Sequence, residues 1–386
     1  DPRPNPHRVE PPPGALDGTP RSADALAITV NYNPTASCPN VHPDDPNPDS
    51  PTWVRAAWPA GAQTAMNAAA LIWSTLLNGS QTVVVDACWY ATLDANTLGQ
   101  ARANLTYRDF KNAPVENSFY AAALANQHAN SDLNGALPEI NAEFNGNFSW
   151  YFGLDGRIPA GQTDFLTVAL HEIGHGLGFS GSAQVDDGMG DDECNGTAGD
   201  GCVKDPPWIY DRFTYNGATS ILDYGNPSTN LGLALTQTNW FFSGGNTNPA
   251  NGNKPARLFA PATWDPGSSY SHLDETTFNN TPNALMTPQL AQQEALHHPG
   301  RVGLAILADI GWPVNNRDQV YVSQQGTGHE TGTIVDPFNT VREGAAAVNN
   351  GGTVWIDSGS YLEPGGLTIA RPMWLRAYDG TVYIGK

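Results

Sequence analysis

His171 and His175 stand four residues apart with Glu172 between them, inside the stretch TDFLTVALHEIGHGLGFSG that runs from Thr163 to Gly181. On a helix this spacing puts both imidazoles on one face, one turn apart, where two ring nitrogens can converge on one ion. HExxH is the zinc-hydrolase signature. In it the carboxylate stays off the metal and takes a proton from the metal-bound water. The competing reading is a chance pattern on a packing helix. Against it, two histidines and a glutamate on an otherwise apolar helix are costly to bury unless a metal and hydrogen bonds satisfy them.

The helix itself is predicted from its apolar surface. Phe165, Leu166, Ala169, Leu170, Ile173 and Leu177 cover much of its circumference, so it should be largely buried. Thr163 is the predicted N-cap, with Asp164 beside it where negative charge suits a helix start. Gly174, Gly176 and Gly178 are poor helix formers, at about 1 kcal/mol each relative to Ala. They belong where backbones or substrate approach closely and where the helix must stop.

The chain has 386 residues, 40% of them hydrophobic, and a formal net charge of −20. That length holds two or three domains and a sizeable core. The charge argues against nucleic acid or an anionic membrane as partner, and no run is apolar enough to span a bilayer. The opening DPRPNPHR is no export signal, so any such signal is expected to have been removed. Cys194 and Cys202 bracket a Gly/Asp-rich loop, which suggests a local disulfide and leaves Cys38 to pair with Cys88. Acidity, scarce lysine and abundant Gly, Asn and Pro favour a secreted protein over a cytosolic one with four free thiols.

In chain order, residues 1–25 are Pro-rich and read as a linker or the remnant of a pro-segment. Leu26 to Tyr32 alternates and is the first predicted strand. Ala62, Ala65, Met66, Ala69, Ile72, Trp73 and Leu76 recur at helical spacing, with Gly79 as the predicted C-cap. Gln81 to Tyr90 is a second strand, and Ser118 to Ala129 a helix whose His128 is structural. Ile140 to Gly153 reads as a strand and turn before the HExxH helix, the edge on which an extended peptide could pair. Beyond Gly181 comes an acidic loop. Asp186, Asp187, Asp191, Asp192, Glu193 and Asp200 could bind calcium through oxygen, but their spacing is not that of an EF-hand, and a solvated loop is the competing reading. Trp208 to Tyr215 is strand-like. Arg301 to Trp312 is a short amphipathic helix with Gly311 as C-cap.

A catalytic zinc site takes three protein ligands and leaves a place for water. The extended form of the motif puts the third histidine six residues after the second, and that position here is Gly181. The ligand must therefore come from farther along. Of His7, His42, His128, His272, His297, His298 and His329, His272 stands out in YSHLDE, ahead of Asn283 to Pro288 (NALMTP). His297 and His298 precede Pro299 and look like loop residues. The alternative is a downstream glutamate on a second helix, with Glu193 the nearest, though its Gly/Asp surroundings do not support a helix.

HEIGHGLGFS, a long insertion, SH and then NALMTP resemble the metzincin metallopeptidases, and within them the leishmanolysin-like branch. The resemblance covers roughly residues 27–312, with the two motif blocks as its specific part. It implies a secreted zinc endopeptidase of α+β fold, with a mixed sheet, helices, the HExxH helix and a Met-turn. It implies His171, His175 and His272 as zinc ligands, Glu172 as general base, Gly178 as the helix-ending turn and Met286 beneath the metal. A tyrosine two residues past the methionine, found in some metzincins, is absent, since that position is Pro288. The expected substrates are proteins or peptides.

The expected peptidase unit spans residues 26–313: an N-terminal subdomain to about 180 and a C-terminal one, with its insertion, over 181–313. Residues 314–386 differ in texture, with short β-rich runs punctuated by Gly, Pro and Asp, like the opening coils of a parallel β-helix. Such a tail suggests a longer native protein or a small β module. It also sustains a second functional expectation, an adhesive or glycan-binding protein whose metal site is structural.

Overall fold

The computed structural model describes residues 7–12, 15–16, 24–44, 52–188, 194, 196–237, 239–315, 319–324, 330–334, 337–378 and 380–385. Its architecture mixes helices with several small open sheets, in keeping with the expected α+β class.

The largest sheet has four strands. β2 (Ile28–Tyr32), β3 (Val83–Tyr90) and β5 (Ile140–Asn145) run parallel, and β4 (Gly99–Ala103) closes the far side antiparallel, in the order β2-β3-β5-β4. β3 is buried along almost its whole length, and its VVVDACWY is the near-continuous apolar run that a covered parallel strand needs. α1 (Ala60–Leu76) and α3 (Phe165–Gly176) pack side by side, and the Trp73 indole donates to Leu170 O at 3.0 Å. Alanine dominates α1, giving high helix propensity and a flat surface for close packing. α2 (Ala122–Ala129) follows a short strand at Tyr120–Ala121.

Several expectations need correction. Gly79 does not cap α1. The helix ends at Leu76 because Leu77 turns extended, bridging to Val314 and accepting from Leu26 N at 2.9 Å. The segment 140–153 is not the edge beside the cleft. Its first half, β5, is interior, and its second half pairs through Trp150–Tyr151 with Thr163–Asp164. The edge is β4, whose GQARA has neither apolar alternation nor β-branched residues to announce it. Trp208 to Tyr215 is mostly a 3-10 turn over Tyr210–Phe213, with only Thr214–Tyr215 in a strand. Nor is the described part of the Pro-rich opening a free linker: β1 (Arg8–Val9) pairs in parallel with Ala295–Leu296.

α4 (Gly300–Ile310) ends at Gly311, at φ +120, as expected. Beyond it, β6 (Gln319–Val322), β7 (Thr353–Ile356) and β9 (Trp374–Ala377) form one parallel ladder. β8 (Gly359–Tyr361) and β10 (Val382–Ile384) form another, which is how successive coils of a parallel stack pair. α5 (Val341–Ala347), opened by a Thr340–Glu343 capping box, packs on β6 and β7. This C-terminal part is bolted to α4. The Arg301 guanidinium donates to both Asp357 carboxylate oxygens, at 2.7 and 2.8 Å, and lies over the rings of Tyr321 and Tyr378.

Cys38 pairs with Cys88 and Cys194 with Cys202, the pairing expected. No helix among the described residues is long and apolar enough to cross a membrane.

Candidate metal centre

α3 starts one residue later than expected. Asp164, not Thr163, is the N-cap: its Oδ2 accepts from Thr167 N at 2.9 Å and Thr167 Oγ1 at 2.7 Å. The carboxylate outcompetes the threonine because only it reaches the third amide of the first turn. At the other end Gly178 takes φ +108, and Phe179 N returns to Gly174 O at 3.1 Å, stopping the helix. The two glycines within α3 are sites of close approach. A Cβ at Gly174 would meet Met286 Sδ at 3.0 Å, and one at Gly176 would meet Ile140 Cγ2 at 2.4 Å.

Three imidazoles meet at the C-terminal half of α3. Nε2 of His171 is 2.9 Å from Nε2 of His175 and 3.1 Å from Nε2 of His272, and the last two are 3.0 Å apart. Each ring is fixed by its other nitrogen: His171 Nδ1 faces Leu285 O, His175 Nδ1 faces Phe179 O and His272 Nδ1 faces Ser268 O, all at 2.7 Å. A carbonyl can only accept, so each Nδ1 carries the proton and each Nε2 presents a lone pair. Burial holds the rings neutral: it lowers His171 to about 4, His272 to about 3 and His175 well below the ordinary histidine value. Three converging lone pairs repel one another unless a cation lies among them. The donor set therefore fits a metal ion, and this trio is the one such group among the described residues.

Glu172 lies beside the trio, 5% exposed, under β4, where a Cβ at Gly99 would come within 3.3 Å of its Cγ. Burial raises its carboxyl to about 8 in the metal-free protein. Met286 ends a 3-10 turn over Ala284–Met286 and is packed against Gly174 under α3. Leu285 of that turn supplies the carbonyl for His171, and Leu273 N donates to Met286 O at 2.8 Å, joining the turn to His272.

A cleft of about 1190 Å³ opens over these groups and runs along the free edge of β4. Its walls include Gly99, Arg102, Val168, Trp264, Pro288 and Leu290.

The other candidate ligands are elsewhere. His297 and His298 are loop residues, as expected, between the Ala295–Leu296 strand and α4, yet both are buried, His297 on Asp164 and His298 against Trp355 at 5.2 Å. They are held by residues distant in sequence, which no local pattern around LHHPG reveals. His42 Nε2 is 3.0 Å from Glu143 Oε2, His7 Nε2 meets Thr281 O, and the half-buried His128 lies against Tyr120. His329 and Glu193 lie outside the described residues, as do Asp191 and Asp192 of the acidic loop. Of the rest of that loop, Asp186 accepts from Gly188 N, and Asp200 from Thr197 and Thr229. Sequence reasoning missed β4, whose role appears only in the assembled sheet.

A family model described as SPBPB7E8-like matches residues 68–190, a span that includes β4 and both α3 histidines but stops before His272. Neither the curated proteins nor the solved structures give a match.

Proposed function

We propose that the protein is a secreted zinc-dependent endopeptidase of the metzincin kind, similar in plan to the leishmanolysin-like branch. The observation that carries this reading is the convergence of His171, His175 and His272 next to a buried Glu172 that no structural need explains. Bound zinc would supply an acidic water and polarise the scissile carbonyl. The chain does the rest. Glu172 takes the proton from the attacking water and delivers it to the leaving amine nitrogen. The free edge of β4 offers backbone N–H and C=O groups on which an extended peptide pairs beside Glu172. The low pKa values of the three imidazoles keep their lone pairs free for the metal at neutral pH. Two disulfides suit an extracellular setting, and a net charge of −20 favours protein over nucleic-acid partners.

The test is cleavage of casein by the zinc-loaded chain, with and without a chelator, beside Glu172→Gln. Chelator-sensitive cleavage that is lost in the variant, with zinc retained, is the expected result. Turnover by Glu172→Gln would refute the assignment. A second reading, an adhesive or glycan-binding protein with a structural metal, draws on the half-exposed Trp374 and Tyr383 of β9 and β10. A zinc-loaded wild type that cuts nothing would favour it.

A further inference from the structure

The segment inserted between His175 and His272 contains a buried polar joint that metal ligation alone does not require. Tyr270, two residues before the third ligand, has φ +72, the left-handed region that a bulky side chain rarely enters. Such a conformation persists only where its surroundings hold it. The Tyr270 hydroxyl donates to Asp211 Oδ1 at 3.1 Å and stands 2.6 Å from Thr214 Oγ1. Its ring packs between those of Tyr210 and Trp240.

Asp211 has no solvent exposure. Besides Tyr270 it accepts from Ser182 N at 2.9 Å, Ser182 Oγ at 2.5 Å and Trp208 N at 2.9 Å. One carboxylate thus ties the exit from α3 to the approach to His272. Ser271 tightens the same joint, its Oγ accepting from Gly181 N at 3.1 Å. Gly181 is needed there, since a Cβ would fall 2.1 Å from Tyr270 Cε1.

We propose that Asp211 and Tyr270 are positioning residues for the third ligand. The proposal rests on the metal-site reading above and gives the insertion a chemical role. The buried carboxylate–phenol contact holds Tyr270 in its left-handed turn and so aims His272 at the other two histidines. Without that contact Tyr270 relaxes to negative φ and His272 swings away. His171 and His175 stay, because their carbonyl anchors lie elsewhere.

The experiment measures zinc affinity of the full chain by competition with a chromophoric chelator, alongside thermal unfolding of the metal-free protein. The variants are Tyr270→Phe, Asp211→Asn and, as a control, Tyr120→Phe, which removes a buried hydroxyl that accepts from Val115 N and is not one of the groups bonded to Asp211 or Tyr270. Tyr270→Phe and Asp211→Asn are expected to bind zinc about 10- to 100-fold more weakly, the range seen when groups behind a ligand are lost. Tyr120→Phe should stay within about threefold while losing a comparable amount of Tm. Should Asp211→Asn fail to fold, the milder Tyr270→Phe decides alone. The proposal is overturned if Tyr270→Phe binds zinc within about threefold of wild type, or if Tyr120→Phe weakens binding as much. No substrate enters this assay, so a zinc-binding wild type that cuts no peptide would end the peptidase reading and leave this one standing.

Discussion

His297 Nε2 lies 2.7 Å from Asp164 Oδ2, with both side chains sealed from solvent. The same oxygen caps α3, while Asp164 Oδ1 has no hydrogen-bond partner among the described residues. The start of the metal-bearing helix is thus held by a ring from the loop that follows the Ala295–Leu296 strand, the partner of β1. His297→Leu keeps the volume but removes the donor, leaving a carboxylate buried and underpaired. It should lower stability by about 2–3 kcal/mol, read from urea unfolding. A midpoint equal to that of wild type would show that the contact is dispensable.

The metal-free protein should be most stable near pH 6.5. His171 and His272 are lowered to about 4 and about 3, and His298 to about 3, all mainly by burial. A depressed histidine stabilises above its unfolded value near 6.5 and loses that contribution as the pH falls, because the unfolded chain binds the proton first. Each such group forfeits about 2 kcal/mol between pH 6.5 and pH 5. Glu172, raised to about 8, has the opposite sign: its stabilisation is present below about pH 4.5 and is lost as the pH climbs through 8. Between pH 6.5 and 8 only the Glu172 slope remains among these groups, and Glu172→Gln should flatten it. Thermal unfolding with chelator at pH 5, 6.5 and 8 tests both arms, and a Tm highest at pH 5 would contradict the first.

The two disulfides should differ in worth. Cys38–Cys88 closes a sequence separation of 50 and Cys194–Cys202 one of 8. Loop-closure entropy then assigns about 4 kcal/mol to the first and about 2.5 kcal/mol to the second. Paired serine substitutions, compared by denaturant midpoint, should fall in that order. The reverse order would mean that the short loop does more than closure entropy allows.

Asp357→Ala removes the carboxylate that faces Arg301, whose guanidinium is otherwise held only by Ile334 O and two aromatic faces among the described residues. A loss of about 2–3 kcal/mol is expected, along with faster proteolysis after residue 315 under native conditions. Unchanged proteolysis would show that β6 to β10 hold to α4 without this pair.

How much of this can be read from the chain depends on whether the cause is local. HExxH and the α1 stripe are local periodicities, and both stand where the spacing puts them. His272 is marked by its turn and by the Asn283 to Pro288 block downstream, and it meets the other two rings. Gly181 marks the place where a nearer ligand is missing, but its reason, the Tyr270 ring, lies far along the chain. β4 stays hidden because Gly, Gln, Ala and Arg carry no strand signal until β5 offers them partners. His297 is the loop residue it reads as, but its burial has no local mark, since it depends on Asp164, 133 residues away.

The three Nδ1 acceptors, Leu285 O, Phe179 O and Ser268 O, are all main-chain atoms. No single amino-acid replacement deletes a peptide carbonyl, so the three acceptors themselves survive side-chain changes at positions 179, 268 and 285. What the set cannot survive is a change of loop length: one codon gained or lost between 268 and 272, or between 272 and 285, would shift Ser268 O or Leu285 O out of register with His272. In lineages that keep this chemistry, side-chain changes at the three carbonyl-bearing positions should be tolerated better than indels between them.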